Sequence, residues 1–290
     1  MTDLPAPVAS RAVLFGVSEY SSQSQLPAVA NNVRELRQLF TNTDFWGLPE
    51  EHCTALLNPE STEQVLDAVH TAAAAASDAL VFYFAGHGLL DDRGDLHFAM
   101  PTAHQDRLYR AVRYDDVRRE IFGATHVPAK VVILDCCFSG RAMLGGMGGS
   151  DDLADRTQID GTYLMTASAE TKPALAPRGQ EFTAFTGALL DHMKRGIPGG
   201  PNVLDMETLF HHVRTDLQAR HLPVPQQRIR NDGRSIALVR NRHGASGEPA
   251  AAPPPPPAPP PPPPPAFDHQ RPGPPHTRVA PTVDPPTAGC

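Results

Sequence analysis

The chain has 290 residues, a formal net charge of −7 and a pI near 6.0, and it lacks a Lys/Arg cluster interleaved with aromatics, which argues against nucleic acid as a partner. No stretch reaches the roughly 18 consecutive apolar residues of a membrane span, and the start Met1-Thr2-Asp3-Leu4-Pro5 has no basic-then-apolar leader. Four cysteines, two of them adjacent, provide no disulfide framework, so a reducing, cytoplasmic setting is expected.

Arg11–Val17 reads as a first strand, followed by a helix over Ala28–Phe40 whose apolar positions Val29, Val33, Leu36, Leu39 and Phe40 recur at helical spacing. Cys53–Leu57 is a short strand. Thr62–Ala76 is a helix capped by Ser61 or Thr62. Leu80–Phe84 is an apolar strand that stops at Ala85-Gly86-His87-Gly88, and a turn at Asp91–Asp95 leads to a strand at Leu96–Ala99. Asp115–Phe122 is helical. Val131–Leu134 is a second apolar strand, and it stops at Asp135-Cys136-Cys137-Phe138-Ser139-Gly140. The Gly- and Asp-rich segment 142–160 reads as a mobile surface loop. Beyond it come a strand at Tyr163–Thr166, helices over Phe182–Arg195 and Met206–Ala219, and a last strand at Ser235–Val239. More than half of the 32 prolines follow Ala245, with Pro253–Pro257 and Pro259–Pro265 nearly continuous. Such a segment has too few large apolar residues for a core and is expected to be extended and disordered. The expected organisation is therefore a folded domain over 8–243 and a proline-rich tail over 244–290.

Alternating strands and helices predict an α/β fold, with a mostly parallel central sheet covered by helices on both faces. In such sheets the active site lies at the carboxyl ends of the strands. Two of these ends carry the chemistry, one delivering the imidazole of His87 and the other a thiol, which together make a base and a nucleophile. Cys136 and Cys137 are adjacent, so along a strand they point to opposite faces and only one can meet the imidazole. Gly88 offers an unobstructed backbone N–H beside His87. That N–H and the amide of the nucleophilic cysteine could form an oxyanion hole.

His87-Gly88 after an apolar strand, then Asp135-Cys136-Cys137-Phe138-Ser139-Gly140 some 50 residues on, resembles the caspase and metacaspase superfamily of cysteine peptidases, in which the His also precedes the Cys by about 50 residues. The first strand and helix, and Thr166-Ala167-Ser168-Ala169, extend the resemblance over roughly Arg11 to Asn241. The resemblance implies a three-layer caspase-like fold and a Cys–His dyad with Cys137 as nucleophile and His87 as base. It also implies an oxyanion site made by the backbone amides of Gly88 and Cys137. The residue two before the nucleophile lines the pocket for the side chain preceding the scissile bond. Here it is Asp135, as in metacaspases, and a carboxylate there favours a cation. Cleavage after Arg or Lys is the expectation, whereas a purely structural Asp135 would cap a helix or accept a backbone N–H. Metacaspases often carry Asp where this chain has Asn32, and Ser where it has Ala85, so the resemblance implies a pocket with one charge fewer.

Asp91, Asp92 and Asp95, and also Asp151, Asp152 and Asp155, are carboxylate groups open to Ca²⁺, which activates some metacaspases. Neither set has EF-hand spacing, and solvated turns are expected for both. His211 and His212 are neighbours on a helix and do not share a face, so they are not a metal pair. No zinc motif occurs, and no cofactor is required. Arg141 precedes the 142–160 loop and Arg156 lies within it, and a pocket for Arg would allow self-cleavage there. Expected partners are a protein or peptide substrate and, through the tail, a proline-binding or activator protein. The competing readings are a catalytically silent caspase-like adaptor and a transamidase. An adaptor has no need to keep both His87 and Cys137, and nothing marks an amine site.

Overall fold

The computed structural model describes residues 3–136, 162–167 and 180–243, all within the unit Met1–Glu248. In chain order the elements are β1 (Arg11–Gly16), α1 (Pro27–Thr41), β2 (Cys53–Leu57), α2 (Thr62–Ala75), β3 (Ala79–Gly86), β4 (Gly88–Leu90), β5 (Leu96–Phe98), β6 (Val112–Arg113), α3 (Tyr114–Gly123), β7 (Ala129–Cys136), β8 (Thr162–Thr166), α4 (Ala184–Arg195), β9 (Val203–Asp205), α5 (Met206–Ala219), β10 (Gln226–Arg230) and β11 (Ala237–Arg240).

Six strands form the central sheet in the order β10-β8-β7-β3-β1-β2. All its pairs are parallel except β10 with β8, which is antiparallel. The parallel strands read as continuous apolar runs because both faces are buried. All eight residues of β3 are buried.

On one face Leu14, Val81, Tyr83, Val131 and Ile133 meet the apolar stripes of α1, α4 and α5. On the other face Val13, Phe82, Phe84, Val132 and Leu134 meet α2 and α3. The helices therefore make outer layers on both sides of the sheet, as the alternating pattern predicts. Two of the helices have a local cause. Pro27 opens α1, where its missing N–H costs nothing. The Ser61 hydroxyl caps α2 by accepting the Gln64 N–H at 3.2 Å.

Two small ribbons decorate this sheet, β4-β5-β6 and β11-β9. The second corrects the expectation for the last strand. Ser235 belongs to a 3-10 turn, and Ala237–Arg240 pairs with β9 away from the central sheet. The edge of the central sheet is instead Gln226-Gln227-Arg228-Ile229-Arg230. An edge strand that is only half buried needs no apolar run, so its polar sequence gives no strand signal. The tail 244–290 and the 142–160 loop lie outside the described residues.

Candidate active site

β3 and β7 run side by side in parallel register, with Ala85 opposite Asp135 and Gly86 opposite Cys136. His87 and Cys137 are thus the next residues of two neighbouring strands. Cys137 itself lies outside the described residues. Cys136 is fully buried in the cluster facing α2 and α3.

His87 is half buried and held from two directions by the segment after β1. Its backbone N–H donates to the Tyr20 hydroxyl at 2.8 Å, and the two rings lie 4.6 Å apart. Its Nε2 is 2.9 Å from the Ser24 carbonyl oxygen. A carbonyl only accepts, so in the neutral ring Nε2 carries the hydrogen and Nδ1 keeps its lone pair as an acceptor. The supporting segment is itself tied down. Gln25 bonds both the N–H and the C=O of Tyr20, at 3.0 and 2.7 Å. Asn58 accepts the N–H groups of Ser18 and Glu19, and Ser21 donates to the Pro101 carbonyl.

Gly86 makes this arrangement sterically feasible. Its φ is +155°, and a Cβ there would lie 2.7 Å from the Tyr20 hydroxyl and 2.9 Å from the Phe84 ring. Gly88 pairs with Phe98 across β4 and β5. The Ala99 N–H donates to the His87 carbonyl at 2.9 Å. That makes the preceding pair the hydrogen-bonded one, so by alternation the Gly88 N–H points away from β5.

Asp135 is 3% exposed. Its Oδ2 accepts the hydroxyls of Thr183 and Thr186, each at 2.5 Å. The backbone N–H of Thr186 is a third donor to its carboxylate. Thr183 is the N-cap residue of α4, yet its hydroxyl does not cap its own helix. Asp135 caps α4 from β7 instead, at the end of the helix where partial positive charge favours an anion. Asn32 donates its amide to the Thr183 hydroxyl at 2.8 Å and accepts the Thr183 N–H at 3.3 Å. Tyr83 is 2.8 Å from the Thr186 hydroxyl. Burial pushes the Asp135 carboxyl above its ordinary range, while the two hydroxyls and the Thr186 N–H pull it back. Burial and then the Asp135 charge push Tyr83 well above its own, so it stays a neutral donor.

The family model of the caspase domain matches residues 9–233. The chain belongs to the caspase-domain family. Its fold is similar to that of caspase-1 from Spodoptera frugiperda, with a TM-score of 0.55 over 78% of this chain and 88% of that one, at 14% sequence identity. No curated protein matches the chain by sequence. As a caspase-domain protein it is assigned to a family of cysteine peptidases, and its mixed α/β sheet is that of the fold.

Within this caspase domain, sequence reasoning named His87, Gly88, Asp135 and Cys137, and the structure sets the first three at adjacent strand ends. It missed Tyr20, whose hydroxyl faces the His87 amide, because a lone Tyr after a strand has many uses. It missed Ser24, which acts through its backbone carbonyl and has no side-chain signature. Thr183 and Thr186 were also missed. Their i, i+3 spacing at the head of a helix was visible, but their target is 48 and 51 residues away in the chain.

Among the described residues no three His, Cys, Asp or Glu side chains are grouped to hold a metal ion. Asp91 uses its carboxylate locally, accepting the N–H groups of Arg93 and Asp95 at 2.9 and 2.8 Å. Burial alone would raise its pKa, but these bonds hold it below the ordinary carboxylate value. Asp151, Asp152 and Asp155 lie outside the described residues, as do Arg141 and Arg156. Also among the described residues, no helix is long and apolar enough to cross a membrane.

Proposed function

We propose that this caspase-domain protein is a cysteine endopeptidase that uses Cys137 and His87 and cleaves proteins after Arg or Lys. The observation that carries the reading is the β3–β7 register, which ends at the Gly86–Cys136 pair, one residue short of both groups. The burial of Cys136 supports Cys137 as the nucleophile of the pair. The Ser24 carbonyl supports His87 as base, because it holds the hydrogen on Nε2.

The chemistry follows from these roles. Nδ1 of His87 takes the Cys137 proton as Sγ attacks the scissile carbonyl carbon. The oxyanion that forms is met by the backbone N–H groups of Gly88 and Cys137. As the C–N bond breaks, the imidazolium returns its proton to the leaving amine. Water then adds to the thioester, giving up a proton to His87. Collapse of the second tetrahedral species releases the new carboxyl end and restores the thiol. No cofactor enters any step. Asp135 supplies the charge that a substrate Arg or Lys would meet. By fold-level analogy the enzyme serves a regulated signalling, stress or defence pathway, and the proline-rich tail is the segment through which an activator or proline-binding module would engage it.

Fluorogenic peptides ending in Arg, Lys or Asp test the reading, with wild type, Cys137→Ala and His87→Ala, each with and without Ca²⁺. Release after Arg and Lys, lost in both variants, is the expected result. Release after Asp would reject the pocket assignment while keeping the peptidase. Release that survives Cys137→Ala would reject the dyad.

A further inference from the structure

The hydroxyls around Asp135 form a network with a fixed direction. The Asn32 amide can only donate to Thr183 Oγ1, so the Thr183 hydrogen is turned toward Asp135. Thr186 also spends its hydrogen on Asp135, so Tyr83 must be the donor in the Tyr83–Thr186 bond. Donation therefore runs from α1 through Thr183 and from β3 through Thr186, and both branches end on one carboxylate oxygen. α4 contributes both threonines and its own N-terminal N–H.

Every one of these partners is neutral. A carboxylate has about four lone-pair sites, and the donors named fill three. The net upward push on Asp135 means that they do not fully replace water. Tyr83 is the titratable group that faces it from β3, while Asn32, Thr183 and Thr186 face it from the helices. Among the described residues Asp135 has a spare acceptor site and no cationic partner, which makes it complementary to a guanidinium or ammonium group.

Building on the Arg/Lys reading above, we propose that Asn32, Thr183, Thr186 and Tyr83 are specificity-positioning residues. Their relay keeps Asp135 charged and oriented, and so sets the preference for a cationic side chain before the scissile bond. The position that departs from the metacaspase pattern thereby has a use. Asn32 adds no second charge, and it orders the donor that keeps the first one in place.

The test compares two peptides that differ only in having Arg or citrulline, its neutral near-isostere, before the scissile bond. The ratio of kcat/KM for Arg to that for citrulline is measured for wild type, Thr183→Val/Thr186→Val and Thr183→Ser/Thr186→Ser. The valine pair should lower the ratio about tenfold or more, the scale of lost hydrogen bonds to a charged group, mainly through KM on Arg. The serine pair should retain it. A ratio unchanged in the valine pair while wild type prefers Arg overturns the relay and leaves the pocket reading standing. A wild type with no preference for Arg, or with no activity on either peptide, overturns both. A second readout is independent of turnover. Ionised Asp135 without its donors should destabilise the valine pair more at pH 7 than at pH 4, and Asp135→Asn in that background should abolish the difference. A pH-independent difference in melting temperature would overturn the relay.

Discussion

The Tyr20 hydroxyl accepts the backbone N–H of His87 at 2.8 Å, and its ring packs against the imidazole at 4.6 Å between centroids. Tyr20 is 5% exposed, so nothing from solvent replaces that acceptor once it is removed. Tyr20→Phe should keep the fold, cost about 1–2 kcal/mol of stability, and lower kcat roughly tenfold through misplacement of the ring. KM for an Arg substrate should change little. A kcat equal to that of wild type would show that His87 holds its position without Tyr20.

Gly86→Ala introduces a Cβ at φ +155° and 2.7 Å from that same hydroxyl. The expected cost is about 1–3 kcal/mol, read from denaturant unfolding. Part of the cost is the contact with the oxygen. Tyr20→Phe should therefore recover some of it, and the two changes should be non-additive. Strict additivity would place the whole penalty in the backbone.

The two adjacent cysteines should behave oppositely. Cys137→Ala is expected to abolish turnover with little effect on melting. Cys136→Ala removes a fully buried sulfur from the α2–α3 side of the sheet, at a cost of about 1–2 kcal/mol, and turnover should persist. Cys53 is a useful control. Burial pushes its thiol up to about 12, against a smaller pull from Arg37. It should resist alkylation at pH 8 until the protein unfolds.

The His212 ring on α5 lies 5.5 Å from that of His192 on α4 and 5.9 Å from that of His211, between centroids. Burial first, then these two rings, lower its pKa. The folded chain thus holds this proton less tightly than the unfolded chain. Stability from the neutral ring is present above about pH 6.5, the unfolded value, and is lost as pH falls through the folded pKa. His212→Gln should flatten the melting temperature between pH 7 and pH 5. An unchanged acid limb would assign that limb to carboxylates.

Much of the scaffold was legible from local pattern. β2 and α5 match their expected ranges, Cys53–Leu57 and Met206–Ala219, to the residue. Ser61 does cap α2. These elements announce themselves because apolar periodicity and caps are short-range signals. β10 did not, since its strand character comes from the hydrogen bonds of β8 rather than from its own residues. Ala237–Arg240 carries the apolar signal, and its partner is β9 rather than a strand of the central sheet.

Local sequence is enough for the alternation of strands and helices, for the resemblance of His87-Gly88 and the Asp135–Gly140 run to a caspase pairing, and for the fact that two neighbouring cysteines cannot both face one imidazole. The first and third are properties of period and alternation along the backbone, and the second is a likeness of motif to a known family. Only the tertiary structure decided which face takes Cys136, that a Ser24 carbonyl and a Tyr20 hydroxyl hold His87, and that Asp135 caps α4 while collecting the hydroxyls of Thr183 and Thr186. These depend on groups brought together from distant parts of the chain. A backbone carbonyl or a neutral hydroxyl carries no mark in the sequence of the charge it will serve.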